Sequence, residues 1–109
     1  MPMNKTYTYA VDFDGTLCTN AWPNIGEPHR IVIERLKLHQ RKHGVKLILW
    51  TCREGMALVE AITWCAQHGL FFDAVNDNLP EHKERFGGNC RKIFADYYID
   101  DKAMLPTFI

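Results

Sequence analysis

The four cysteines, Cys18, Cys52, Cys65 and Cys90, form no C-x-x-C pair, so the spacings of zinc ribbons and dithiol redox centres are absent. Charge of one sign is not in excess either: 13 basic and 13 acidic side chains cancel, and no long like-charge run occurs. That removes bulk electrostatic attraction to nucleic acid or to a membrane surface as an organising feature. No apolar run approaches the ~18 residues of a membrane span, and the opening MPMNKTYTYA lacks the apolar core of a signal peptide. There is no G-x-x-x-x-G-K-[ST] loop of a nucleotide kinase. The five histidines, His29, His39, His43, His68 and His82, show no metal-ligand spacing and read as structural or solvated. Together these absences predict a soluble cytoplasmic protein with reduced thiols and no membrane partner.

What is present is enough for a packed interior. With 109 residues, 47% of them hydrophobic, the chain fits one domain over 1–109, burying roughly two thirds of its unfolded surface. Thr6 to Val11, TYTYAV, is β-branched and aromatic and predicts a strand ending at Asp12. The next helix starts with Pro28 at its first position and stops at Gly44, with Arg41, Lys42 and His43 in the last turn, where the helix dipole favours cations. Val45 to Trp50, VKLILW, is a nearly continuous apolar run, as in a strand covered on both faces. Met56 to His68 has apolar residues at helical spacing and is closed by Gly69. Phe71 to Val75 predicts a third strand, Asn76 to Arg91 a loop with a short helix, and Phe94 to Ile99 a fourth strand. Cys18 to Glu27 reads as a loop. Alternating strands and helices predict an α/β fold with a small, mainly parallel sheet and right-handed crossovers.

Ligands of such sheets bind beyond the carboxyl ends of the strands. Asp12, Asp14, Thr51, Asn76 and Asp100 all fall at or just past those ends, so one crevice collects them. Singly, an Asp before Gly-Thr is a turn residue and Asp-Asp at a strand end is a solvated cap. Collected, Asp12, Asp14, Asp100 and Asp101 place about four negative charges at one end of a small sheet, a costly arrangement without a cation among them. Hard oxygen ligands from few protein groups suit Mg²⁺, which retains waters and binds phosphate. Asp12 is then placed to attack phosphorus, with Lys92 and the Thr51 hydroxyl offsetting repulsion. Asp14, two residues on, reaches the leaving oxygen as general acid and later activates water. Gly15 lets the backbone pass close to the phosphate.

These residues resemble those of the haloacid dehalogenase-like (HAD) phosphohydrolases. DFDGTL looks like that family's first motif, D-x-D-G-T-[LV]; its five fixed positions arise by chance in about one chain of this length in ten thousand. Thr51 in LILWT matches the second motif, Lys92 in RKIFADYYIDD the third, and Asp100-Asp101 the DD form of the fourth, so the likeness runs from about Thr6 to Lys102. The resemblance implies a Rossmann-like, three-layer α/β sandwich, an aspartyl-phosphate on Asp12, and Mg²⁺ held by the Asp12 carboxylate, the Asp14 main-chain carbonyl and Asp100, with Asp101 as an outer partner. It further implies that Lys92 holds both nucleophile and phosphate. Gly15, Thr16, Cys52 and Arg53 are the expected substrate-binding residues around these motifs. WPNIGEP, LILWTCREG and FADYYIDD look like small HAD proteins of bacteria and phages. Only eight residues follow Asp101, so the family's fifth strand and helix are expected to be absent or vestigial, with LPTFI as a short tail.

The expected function is Mg²⁺-dependent phosphomonoester hydrolysis, with a catalytically silent binding protein or a phosphotransferase as alternatives. A receiver domain carries its acidic pair after strand one and a lone phosphoacceptor Asp after strand three, the reverse of the order here. Arg53 is expected either to contact a second anionic group of the substrate or to lie on the surface at a helix start. Asn76, Asp77 and Asn78 read first as a turn, with lining of the crevice as the alternative. The gaps Cys18–Glu27 and Asn76–Arg91 are too short for a cap domain, which needs ~40 residues. An uncapped crevice suits a phosphorylated small molecule covered by a loop or by a second subunit of a homo-oligomer, with a macromolecular phosphate as the other outcome. Trp22 is expected as a lid or as packing for its loop, and Trp22, Pro23, Ile25, Phe71 and Phe72 are the apolar residues available to an interface.

Overall fold

A computed structural model describes residues 5–103; the expected LPTFI tail and the first four residues lie outside that range. The central strand β1 (Thr8–Val11) is buried at all four positions. It pairs in parallel with β4 (Lys46–Leu49) on one side and β6 (Tyr97–Ile99) on the other, and β4 pairs in parallel with β5 (Ala74–Val75). The order is β5-β4-β1-β6. Chain progress therefore runs outward from β1 through β4 to β5, then jumps back across β1 to β6. Between β1 and β6 the crossovers diverge, and the carboxyl ends of these two strands border the crevice that such a reversal creates.

Side-chain alternation along the strands divides the interior in two. Tyr9, Val11, Leu47 and Leu49 point to one face, where Ile33 and Leu36 of α1 (Arg30–His43) and Ala61 and Cys65 of α2 (Gly55–Gln67) cover them. Ala10 and Ile48 point to the other face and meet Leu79, at the start of α3 (Pro80–Phe86), together with Ile93. Val11, Leu47 and Leu49 are fully buried, each worth about 1.5–3 kcal/mol of transfer free energy. VKLILW is thus nearly all apolar because both its faces are covered, and its one charge, Lys46, lies at the strand start 3.9 Å from Asp73. No helix of the described residues is long and apolar enough to cross a membrane.

Several boundaries differ from the sequence reading. β1 begins at Thr8 and β6 at Tyr97, two and three residues later than expected, because the carboxylate of Asp96 replaces a ladder partner: it accepts the Thr8 N–H at 2.8 Å. β5 is cut to two residues for the same reason, with Asp73 accepting the Leu47 N–H at 2.9 Å. Pro28 does not open α1. It ends a strand, and His29, its N–H donated to Leu17 O and its Nδ1 2.9 Å from Thr16 O, sits between strand and helix. Gly44 ends α1 as expected, in the left-handed conformation.

The segment Cys18–Glu27 is not a loop. β2 (Cys18–Ala21) and β3 (Asn24–Pro28) form an antiparallel two-stranded sheet. Gly26 packs against the Thr19 backbone so closely that a Cβ would collide with it, which explains a glycine in a strand. The two gaps between motifs hold this hairpin and α3, and no cap domain is present among the described residues.

Candidate active site

β1 delivers Asp12 and β6 delivers Asp100 and Asp101 to one end of adjacent parallel strands. Asp12 N–H donates to Ile99 O at 2.9 Å, which locks the two strand ends together. As a result Asp12, Asp100 and Asp101 each present a carboxylate oxygen within 4.8 Å of the others. Gly15 makes this possible twice over. Its φ of 88° turns the chain where an L side chain is strained, and a Cβ there would run into the Asp101 carboxylate. Thr16 is buried and its hydroxyl donates to Asp12 Oδ2 at 3.4 Å.

Burial pushes the Asp12 carboxyl up from 3.8 to about 6; a hydrogen bond from the Phe13 backbone opposes this, and the neighbouring charges of Asp100 and Asp101 reinforce it. Among the described residues the ion pair made by the group is that of Lys102, highly exposed and 3.7 Å from Asp101 Oδ2. Three converging carboxylates with so little compensation form a donor set of hard oxygens that a small divalent cation fits.

Asp12 and Asp100 share a crevice of about 320 Å³ with Trp50, Thr51, Cys52 and Asn76. Thr51 is held by its backbone: its N–H donates to Asn76 Oδ1 at 2.8 Å, while its hydroxyl accepts the Arg53 N–H at 3.1 Å. Asn76 adopts a φ of 51°, so it is both the turn residue and a wall of the crevice. Asp77 and Asn78 leave the crevice. Asp77 pairs with Lys83 at 2.7 Å, and buried Asn78 binds Asn89, Cys90 and Phe94.

Asp14 lies in a neighbouring hollow of about 310 Å³ with Asn20, Trp22, Cys52 and Arg53. Arg53 is neither a surface residue nor an open anion site: it is 1% exposed and grips Asp14 through two 2.8 Å hydrogen bonds. Its remaining donors reach Asn24 O at 3.0 Å and Pro23 O and Ala57 O at 3.4 Å. The pair with Asp14 raises the Arg53 pKa further. Arg53 thus ties Asp14 to the β2–β3 hairpin. Each carboxylate oxygen has two acceptor sites, so Asp14 retains room to accept a further hydrogen bond from the crevice side.

Lys92 stands apart. Its Nζ lies 6.0 Å above the Tyr98 ring, in a separate cavity of about 360 Å³ lined also by His82, Phe86, Phe94 and Cys90. The structure therefore gathers Asp12, Asp100, Asp101, Thr51, Cys52, Gly15 and Thr16, places Asp14 and Arg53 beside them, and leaves Lys92 outside. Trp50 was not expected at the site; its side-chain direction depends on the sheet face it occupies, which the apolar run alone does not reveal.

The fold and site define an α/β protein with an acidic crevice at a sheet reversal. A solved structure from Bacteroides thetaiotaomicron, described as a conserved protein coded by a locus of that organism, is 46% identical to this chain, with a TM-score of 0.81. The likeness covers 92% of this chain and 79% of that one. The chain belongs to the same family as that protein. No protein-family model and no curated protein matches it.

Proposed function

We propose that this protein is a Mg²⁺-dependent phosphomonoesterase of the HAD type, with a Rossmann-like three-layer core, acting on a phosphorylated small molecule in the cytoplasm. The observation that carries the reading is the convergence of Asp12, Asp100 and Asp101 within 4.8 Å where the strand order reverses. The exposed, unpaired thiols of Cys52 and Cys90 fit a reducing compartment.

The carboxylates of Asp12 and Asp100 and the main-chain carbonyl of Asp14 would hold the cation, with Asp101 behind them. Bound there, Mg²⁺ supplies the positive charge that offsets repulsion between a carboxylate and a phosphate dianion. Asp12 attacks phosphorus as the bond to the leaving oxygen breaks, and Asp14 gives that oxygen a proton. Asp14 then takes a proton from water, whose oxygen attacks the same phosphorus, and the bond to Asp12 breaks to release phosphate. The Thr51 hydroxyl and the Cys52 backbone border the phosphate.

Turnover of p-nitrophenyl phosphate with and without Mg²⁺, in wild type and Asp12→Asn, tests this. Metal-dependent hydrolysis that disappears in Asp12→Asn, which keeps the shape but cannot attack, is the expected result. Undiminished turnover in the variant overturns the nucleophile. Lys92 lines a different cavity from Asp12, which favours a second reading, a domain that binds phosphate without turnover, and wild type with no hydrolysis selects it.

A further inference from the structure

We infer that the hollow beside the acidic crevice is a subsite for an uncharged, planar leaving group, so that the substrate is the monophosphate of a nucleoside-sized aromatic alcohol. This rests on the phosphatase reading above and names its substrate class. Cys52 belongs to the walls of both cavities, Asp12 to one and Asp14 to the other. An ester with phosphorus at Asp12 and its leaving oxygen at Asp14 therefore extends its leaving group into the hollow.

Trp22 furnishes a platform there. Its side chain is 58% exposed, yet its ring is fixed from behind: the Arg53 guanidinium lies 4.9 Å from the Trp22 ring and 5.0 Å from the Phe13 ring, between the two. A large aromatic group held in place while still open to solvent binds a planar partner with little ordering cost. The charge of the hollow restricts that partner. Arg53 is its only cationic lining residue, and every nitrogen of the guanidinium already donates, to Asp14 and to the carbonyls of Pro23, Asn24 and Ala57. A second phosphate or a carboxylate would meet Asp14 with no free cation to receive it. A neutral ring system meets an aromatic face and the Asn20 amide, whose Oδ1 accepts the backbone N–H of Trp22 at 3.4 Å while its Nδ2 has no partner among the described residues. The volume, about 310 Å³, is at the small end for ligand sites and suits one ring system with its sugar rather than a polymer.

The test compares kcat/KM of the full chain with Mg²⁺ on adenosine 5′-monophosphate, glycerol 3-phosphate and fructose 1,6-bisphosphate, in wild type, Trp22→Leu and Trp22→Phe. Leucine keeps Arg53 covered but has no ring face; phenylalanine keeps one. The ratio of adenosine monophosphate to glycerol phosphate should fall about tenfold in Trp22→Leu and largely recover in Trp22→Phe. An unchanged ratio, or a wild-type preference for the bisphosphate, overturns the subsite and leaves the phosphatase reading standing. If no phosphate is hydrolysed that reading falls, and calorimetric titration with adenosine decides the subsite on its own. Adenosine binding that weakens about tenfold in Trp22→Leu sustains it, and no binding at millimolar adenosine overturns it.

Discussion

Where the parallel strands begin, two aspartates stand apart and each has its own lysine; where they end, three converge around one exposed lysine. Asp73 and Asp96 each accept a backbone N–H from the neighbouring strand at 2.9 and 2.8 Å, and Lys46 and Lys5 approach them at 3.9 and 3.2 Å. Asp12, Asp100 and Asp101 crowd together with a single exposed lysine nearby. The same side chain thus completes the ladder at one end and gathers negative charge at the other, where Asp100 accepts the Lys102 N–H at 2.8 Å and Asp12 the Thr16 hydroxyl at 3.4 Å but three carboxylates share one lysine. Local composition does not distinguish them, since the single run FADYYIDD supplies both kinds, Asp96 before the strand and Asp100 and Asp101 after it. What separates the two groups is whether each carboxylate has a cation of its own or must share one with like charges.

Charge removal at the two ends should therefore cost different things. At the acidic end, Asp14→Asn should slow hydrolysis ~10²–10⁴-fold while Mg²⁺ binding by calorimetry persists, because the ligand expected there is a carbonyl. Loss of metal binding instead would relocate Asp14 into the ligand set. Cutting the clasp beside it with Arg53→Met should lower stability in urea by about 3–5 kcal/mol, since it strands a partly buried carboxylate and removes the donors of three carbonyls. A loss under about 1 kcal/mol would mean that the hairpin holds without it. At the opposite end, Asp96→Ala leaves the buried Thr8 N–H unpaired and should cost about 1–3 kcal/mol with hydrolysis retained; a catalytic defect without destabilisation would erase the contrast.

The smallest effect concerns pH. The Asp12 carboxyl is raised from 3.8 to about 6 in the folded protein, so folding favours its protonated form. Its contribution to stability is fully present below about pH 4 and is lost as pH rises through about 6. Metal-free wild type should lose about 1 kcal/mol over that window, after allowance for solvent screening, and Asp12→Asn should not. Thermal melts of both in chelator, at pH 4.5 and 7, measure the difference; parallel pH profiles would show that Asp12 carries no such penalty.

The sheet and the acidic cluster were legible because their signals are local: an apolar run, a turn with Gly15, and carboxylates at strand ends. The hairpin was not. CTNA and NIGEP lack the β-branched alternation that marks a strand, and what sets them is a close approach of Gly26 to Thr19 across the pair. Side-chain destinations were the other blind spot. Thr51 and Arg53 are two residues apart, yet one lines the crevice while the other turns inward to meet Asp14, 39 positions earlier in the chain. Lys92 has the spacing of a third motif, but its direction depends on the irregular backbone from Asn89 to Ala95, pinned by Asn78. Asn78 offers no periodic signal for that role.

The pairing of β1 with β6 has a consequence for biosynthesis. Thr8 and its partner Asp96 are 88 residues apart, and at about 5–20 residues per second a ribosome takes roughly 4–18 seconds to cover that distance. Once β4 has been made the nascent chain can dock it against one side of TYAV, but the other side of this wholly buried strand has no native mate until β6 follows. An unpaired, hydrophobic strand edge is a template for aggregation. Variants that delay or weaken β6, such as changes at Asp96, should accordingly reduce soluble yield in a cell by more than their equilibrium stability implies.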